Sequence, residues 1–251
     1  MLALIDGDII TYSVGFVTQE EPVETAYLRA DEFISNILTA TDADDYKVFL
    51  SDSKENNFRY KVNSEYKANR TQEKPIHYDA IKEYLIVSHT AKIAHGMEAD
   101  DAMAINQAKD IPSKYSYSSP TIIATIDKDL DQIEGLHYRW PIYRKGEIVK
   151  EARVYTVDSD EGIRYFWKQM IVGDRSDNIR GIDGLGEKKT DKLFEGVPTQ
   201  HLFEVVAEQY KNQWGDKWEE EMVRNSKLLW IKRSDEENEL TPTEISLREA
   251  Q

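Results

Sequence analysis

Leu2-Ala3-Leu4-Ile5-Asp6-Gly7-Asp8 opens on four apolar residues and ends in an acidic turn, the pattern of a short buried strand that delivers a carboxylate to its carboxyl end. The design recurs twice. Val48-Phe49-Leu50 runs through Ser51 into Asp52, and the stretch from Thr121 to Ile126 runs into Asp127. Amphipathic stretches separate the three runs, and strands alternating with helices imply a parallel, doubly wound α/β sheet. Ligands of such sheets bind outside the carboxyl ends of the strands, so Asp6, Asp52 and Asp127 are expected at one edge. Packing does not require three acids there, because each must be solvated or paired; a shared cation is the simplest reason for them.

The 251 residues, 40% hydrophobic and 31% charged, fit a soluble globular chain with one α/β core or a core plus a smaller helical part. The absence of cysteine excludes disulfides, thiolate zinc sites and thiol catalysis. Leu2 to Asp6 lacks the basic start and longer apolar stretch of a signal peptide, and no apolar run approaches the roughly 20 residues that a bilayer needs. A cytoplasmic protein without membrane association is expected. Lys plus Arg number 32 against 47 Asp plus Glu, a net charge of −15, which would repel a polyanion if evenly spread. Two features offset this. Two divalent ions would neutralise about four charges of a carboxylate cluster, and Lys54, Arg59, Lys61, Lys67, Arg70 and Lys74, against Glu55, Glu65 and Glu73, make one stretch locally basic.

Further acids join the strand-end set. Glu98-Ala99-Asp100-Asp101 precedes an apolar run and reads as a first helical turn, where Glu98 and Asp101 share a face and negative charge is tolerated. Asp127-Lys128-Asp129 and Gly173-Asp174-Arg175-Ser176-Asp177-Asn178 supply two more pairs. A donor set of carboxylates suits magnesium or manganese over zinc, and the five histidines fall into no zinc spacing. Taken singly, each acid has a plainer reading as a helix cap or a solvated turn residue. Tyr66-Lys67-Ala68-Asn69-Arg70 sets two cations three residues apart, on one helical face, with an aromatic beside them that can stack on a base. Gly181-Ile182-Asp183-Gly184-Leu185-Gly186, followed by Lys188 and Lys189, has the glycines of a tight turn whose backbone N–H groups and following helix can hold a phosphate.

In this order and spacing the motifs resemble the 5′-3′ exonuclease and flap endonuclease family, over about residues 2 to 195, and most closely its exonucleases from short-tailed lytic phages. The resemblance implies a PIN/5′-nuclease core over residues 1–171, with a short arch or gateway at about 54–96, and a helical part over 172–251 whose helix-three-turn-helix turn lies at 181–190. It implies two magnesium or manganese ions. Asp52, Glu98, Asp100 and Asp101 would surround the first, with Asp6 holding water there; Asp127, Asp129, Asp174 and Asp177 would surround the second. Asp8 falls on no metal position of the family. Lys67 and Arg70 would meet the scissile phosphate and offset charge gathering in the transition state, with Tyr66 beside them. Gly184, Gly186, Lys188 and Lys189 would hold duplex DNA through its backbone, with potassium at the turn a further implication. Arg180 and Lys189-Thr190 depart from the family's pattern there.

The implied activity is two-metal hydrolysis of DNA phosphodiesters from a 5′ end by a monomer acting on duplex, nicked or flap DNA, in phage-type replication or DNA degradation, with RNA–DNA hybrid a further substrate class. Two other readings compete. Leu2 to Asp8 also resembles the start of haloacid-dehalogenase-type phosphatases, with Asp6 as nucleophile, but this leaves Tyr66 to Arg70, Glu98 to Asp101 and the glycine turn unexplained. A non-catalytic DNA-junction binding module would keep the fold without cleavage. From Pro198 the chain reads as helices with Trp214, Trp218, Leu228, Leu229 and Trp230 in the core, and the acidic tail after Arg233 reads as solvated.

Overall fold

A computed structural model describes residues 1–110, 120–237 and 240–249. The chain forms two compact units. The first comprises residues 1–57, 72–158 and 232–235; the second comprises 58–71, 159–231 and 236–251.

The first unit is built on the three strands legible from the start. β1 (Leu2–Asp6) lies between β2 (Asp45–Ser51) and β4 (Thr121–Ala124), parallel to both; β3 (Lys92–Ala94) and β5 (Gly135–Arg139) extend the parallel sheet, and β8 (Arg153–Val157) closes one edge antiparallel to β5. Ala3, Ile5, Val48, Leu50, Ile122 and Ala124 line one face. They are covered by α1 (Gly7–Val17), α2 (Val23–Thr41) and α4 (Tyr78–Ser88). Helix α2 shows why: Ala26, Ala30, Ile34, Ile37 and Thr41 recur at three and four residues and are buried, one stripe toward the sheet. The alternate residues Leu4, Phe49 and Ile123 are buried too and turn to the opposite face, where α5 (Ala99–Asp110) packs on β1, β2 and β4. A separate hairpin, β6 (Ile142–Arg144) with β7 (Glu147–Lys150), stands beside β5 and β8 in sequence.

The second unit is helical: α3 (Phe58–Val62), α6 (Ser159–Val172), α7 (Glu187–Phe194), α8 (Leu202–Trp214), α9 (Trp218–Leu229) and α10 (Pro242–Glu249), with a two-stranded ribbon of β9 (Gly173–Asp174) and β10 (Ile179–Arg180). Helix α6 buries Ile163, Phe166, Trp167, Met170 and Ile171 in a core shared with Leu202, Val206, Tyr210 and Leu228 to Trp230. This packing sets the break between Asp158 and Ser159, ahead of the expected 171/172, and brings Phe58–Thr71 into this unit. The tail after Arg233 differs from expectation as well. Leu240 and Ile245 are buried in the same core, and buried Glu237 accepts the Trp230 indole N–H at 3.2 Å.

Candidate active site

The strand ends of the first unit place their acids in unlike surroundings. Asp6 closes β1 and caps α1, accepting the Ile9 N–H at 3.0 Å through Oδ1 and the Thr125 hydroxyl at 2.8 Å through Oδ2. The capping reading is therefore correct for Asp6, and it leaves the carboxylate buried. Burial, reinforced by the neighbouring charges of Asp8 and Asp127 against the two hydrogen bonds, pushes Asp6 up to about 7. Among the described residues no cation pairs with it. Thr125 also accepts the Asp127 N–H at 3.1 Å, so one hydroxyl fixes Asp6 against the loop after β4. Nothing in the spacing singled Thr125 out; its place two residues before a strand-end aspartate was the available signal.

Asp8, which falls on no metal position of the family, lies in the first turn of α1 and accepts the Ser51 N–H at 3.0 Å, bridging α1 to the end of β2. Burial raises it and Glu98 adds to this, while hydrogen bonds from Ser51 and the charge of Lys82 oppose. Gly7 makes this approach possible: a Cβ there would stand 2.7 Å from the Phe49 carbonyl oxygen and from Val48 Cγ1.

Asp52, one residue past β2, accepts N–H bonds from Gly96 at 2.8 Å and Ser53 at 2.7 Å and the Asn56 amide at 3.1 Å. The Gly96 N–H, then Asn56, holds it below the usual carboxylate range, so it is ionised where Asp6 resists ionisation. Glu98 stands just ahead of α5; its N–H donates to Asp101 Oδ2 at 3.1 Å, and its own carboxylate accepts from Asn57 at 3.3 Å. Asp101, expected around the first ion, is fully buried and its second oxygen accepts the Lys232 N–H at 3.0 Å. Both oxygens are committed to main-chain donors, half of a capping box, which makes Asp101 a brace for the start of α5. Asp100 sits beside it in the first turn of α5. Asp127 Oδ1 accepts the Asp129 N–H at 2.9 Å, folding the two acids into one turn.

In the second unit Asp174 ends β9. Its Oδ1 accepts the Ser176 N–H and hydroxyl, both at 2.6 Å, and the Asp177 N–H at 3.3 Å. The segment expected to meet phosphate is clasped to this turn. Lys67 N–H donates to the Asp177 carbonyl at 2.9 Å, Asn178 donates to the Glu65 carbonyl at 2.8 Å and Asn69 to that of Arg175. Asp177 receives the Tyr66 hydroxyl at 2.8 Å, the Lys67 ammonium at 3.6 Å and the Arg70 guanidinium.

Three expectations change here. Residues 64–69 form turns rather than a helix, with Lys67 at φ 55°, so it is a left-handed turn residue, not i,i+3 helical spacing, that sends both cations to one carboxylate. Tyr66 is 1% exposed within the second core and offers no face to a base; its hydroxyl positions Asp177. Arg59, counted in the basic stretch, is buried and donates to the carbonyls of Leu228 and Trp230. At the glycine turn, Gly184 adopts φ 78°, Gly186 caps α7, and the space a Cβ would take is open at both. Lys188 is exposed, while Lys189 folds back onto the Gly184 carbonyl at 2.8 Å.

Among the described residues no three acidic or imidazole groups already surround one point. The donor chemistry nevertheless fits a hard divalent cation: the acids are carboxylates, Asp6 feels the charges of Asp8 and Asp127 and Asp8 that of Glu98, and like charge gathered beside buried Asp6 is what a cation relieves.

The family model for the 5′-3′ exonuclease N-terminal resolvase-like domain matches residues 1–158, ending where the first unit gives way to α6. The chain belongs to the 5′-3′ exonuclease family. A 5′-3′ exonuclease of Mycoplasma pneumoniae is 32% identical over 227 residues, covering 78% of this chain and 72% of that protein. The thermostable DNA polymerase I of Thermus caldophilus is 30% identical over 207 residues, 76% of this chain and 23% of the polymerase; the chain thus spans about a quarter of the length of such polymerase relatives. Of solved structures, T5 5′-exonuclease with bound divalent metal ions (zinc) matches with a TM-score of 0.63 at 20% identity, covering 91% of this chain and 88% of that one. The catalytic core of Rad2 in complex with DNA substrate matches with a TM-score of 0.52 at 14% identity, covering 96% and 80%. At these identities the structural likeness establishes the shared fold, the mostly parallel α/β sheet with added helices that the 5′-3′ exonuclease family uses.

Proposed function

We propose that this member of the 5′-3′ exonuclease family is a divalent-metal-dependent nuclease, using magnesium or manganese, that hydrolyses DNA phosphodiesters near a 5′ end. The observation that carries the reading is the buried, unpaired Asp6 carboxylate at the carboxyl end of the central strand, crowded by Asp8 and Asp127. A phosphatase nucleophile would need open access to phosphorus, whereas Asp6 is 3% exposed with both oxygens hydrogen-bonded.

Asp52, Glu98, Asp100, Asp127 and Asp129 are proposed to hold metal, Asp6 to act through a water, and Asp101 to support them from behind. Asp174, whose Oδ1 shapes its own turn, and Asp177 are carried as ligands on the strength of the family's motif. A bound divalent ion would supply positive charge to the pentacovalent transition state and acidify water. The chain's own residues do the rest: Lys67 and Arg70, now neutralising Asp177, exchange that partner for phosphate oxygens, and the exposed backbone around Gly184 and Gly186, with Lys188 and Lys189, grips duplex phosphates. Potassium at that turn, RNA–DNA hybrid as a substrate, action as a monomer in the cytoplasm and a role in phage-type replication belong to the same proposal.

The test uses 5′-labelled and 3′-labelled duplex, nicked and flap DNA, with magnesium or with chelator. Metal-dependent release from the 5′ side is expected, and Asp127→Ala is expected to abolish it with an unchanged melting temperature. Binding without cleavage would establish the junction module instead, and wild-type turnover by Asp127→Ala would remove that residue from the mechanism.

A further inference from the structure

Residues 139 to 154 concentrate charge of the sign that the chain otherwise lacks. Arg139, Arg144, Lys145, Lys150 and Arg153 stand against Glu147 and Glu151, a local excess of three positive charges in a chain of net −15. The centre of this stretch is the β6–β7 hairpin, which pairs with no other strand among the described residues. Its two-residue turn places Lys145 at φ 52° and Gly146 at φ 81°, the left-handed pair that suits a tight hairpin and sets the ammonium at the tip. β7 is exposed along its whole length. Tyr143 is 61% exposed and Val149 52%, so both faces show apolar surface. An isolated two-stranded hairpin is marginal in water, and a protruding one with bare apolar groups is suited to a partner.

The charges indicate which partner. Arg144, Lys145 and Lys150 form no ion pair among the described residues, whereas Arg139 is held by Asp131 at 2.6 Å and Arg153 lies over the Tyr155 ring. At the foot of the hairpin a cleft of about 420 Å³ is lined by Ile126, Trp140, Lys150 and Arg153, among others, and Ile126 directly precedes Asp127. The cleft that Lys150 and Arg153 line thus reaches the residue next to Asp127, at the start of the loop that carries proposed metal ligands. We infer that the hairpin is an arm that grips the phosphodiester backbone of bound DNA, with Arg144, Lys145 and Lys150 on phosphates and Tyr143 against a sugar or base. The inference rests on the nuclease reading and assigns part of its grip to a region none of the motifs marked.

The test measures binding of fluorescein-labelled nicked duplex to the full chain in chelator, as a function of salt, for wild type and for the combined Arg144→Gln, Lys145→Gln, Lys150→Gln variant. All three side chains are exposed, so the melting temperature should not change. Loss of three phosphate contacts should lower the slope of log affinity against log salt by about 3 and weaken binding about tenfold or more near physiological salt, while kcat at saturating DNA in magnesium stays at the wild-type value. An unchanged affinity and salt slope, with wild type binding normally, overturns the arm and leaves a protein partner as the occupant of this face. Failure of the wild type to bind any of the DNAs defeats the nuclease reading and the arm together.

Discussion

Asp6 and Asp52 end adjacent strands and titrate in opposite directions, which is informative about what each can do. Asp52 is held ionised by N–H donors and is ready to meet a cation; Asp6 is pushed up to about 7 by burial and by Asp8. A carboxyl whose folded-state value exceeds its unfolded value of 3.8 keeps its proton better in the folded chain. Its contribution to stability is then fully present below about pH 4 and is lost as pH rises toward 7. In chelator, therefore, the wild type should lose stability across that window through this group, and Asp6→Asn, which cannot ionise, should lose less. At pH 8 the variant should be more stable by on the order of 2 kcal/mol while cleaving far more slowly, and the two should converge near pH 4. Thermal melts from pH 4 to 8 decide it; a wild type that outlasts Asp6→Asn at pH 8 would show that the burial is relieved in some other way. The acidic positions were legible because a strand end beside a turn is a local pattern. The fate of Tyr66 was not, since whether a ring is buried depends on helices that begin a hundred residues later.

At the level of elements, β1 and α1 meet through Gly7 with almost no clearance. Replacing Gly7 by alanine would put a methyl group 2.7 Å from a backbone carbonyl and from Val48 Cγ1, and backbone in the sheet centre cannot yield cheaply. We expect Gly7→Ala to destabilise the first unit by about 1–3 kcal/mol and to disturb the Asp8 bond to Ser51 that spans this junction, lowering cleavage along with stability. Denaturant unfolding provides the first readout and turnover the second; an unchanged midpoint would mean that β2 shifts freely. The alternation of apolar runs and amphipathic stretches foretold this sheet because strand and helix periods are written residue by residue. The clasp between residues 63–70 and 174–178 was hidden. Its helix-like spacing of Lys67 and Arg70 concealed a left-handed turn, and the hydrogen bonds that define it join segments more than a hundred residues apart.

On the scale of the whole chain, the path after Ile231 shows how unlike composition and structure can be. The last stretch, rich in acids, reads as a solvated tail, yet residues 232–235 join the first unit, with the Lys232 N–H on Asp101 and Lys109 paired to Asp235 at 2.6 Å, and residues from 236 return to the second. There Leu240 and Ile245 are buried and anchor the segment among the described residues. A few scattered apolar residues in a largely polar and acidic segment give too thin a stripe to announce a packed helix, and the acceptor role of Glu237 toward Trp230 cannot be seen without the fold. Ending the chain after Asp235 would keep the bond to Asp101 and remove both anchors. Burying one such side chain contributes about 1.5–3 kcal/mol, so the truncated chain should lose about 3–6 kcal/mol from the second unit. Four of the five tryptophans, Trp167, Trp214, Trp218 and Trp230, lie in that unit, so their fluorescence reports its unfolding directly. A truncated chain with the wild-type midpoint would mean that the core around Trp230 closes without the tail. A lowered midpoint, with duplex binding weakened in proportion to the unfolded fraction, would tie this acidic segment to the integrity of the glycine turn's own unit.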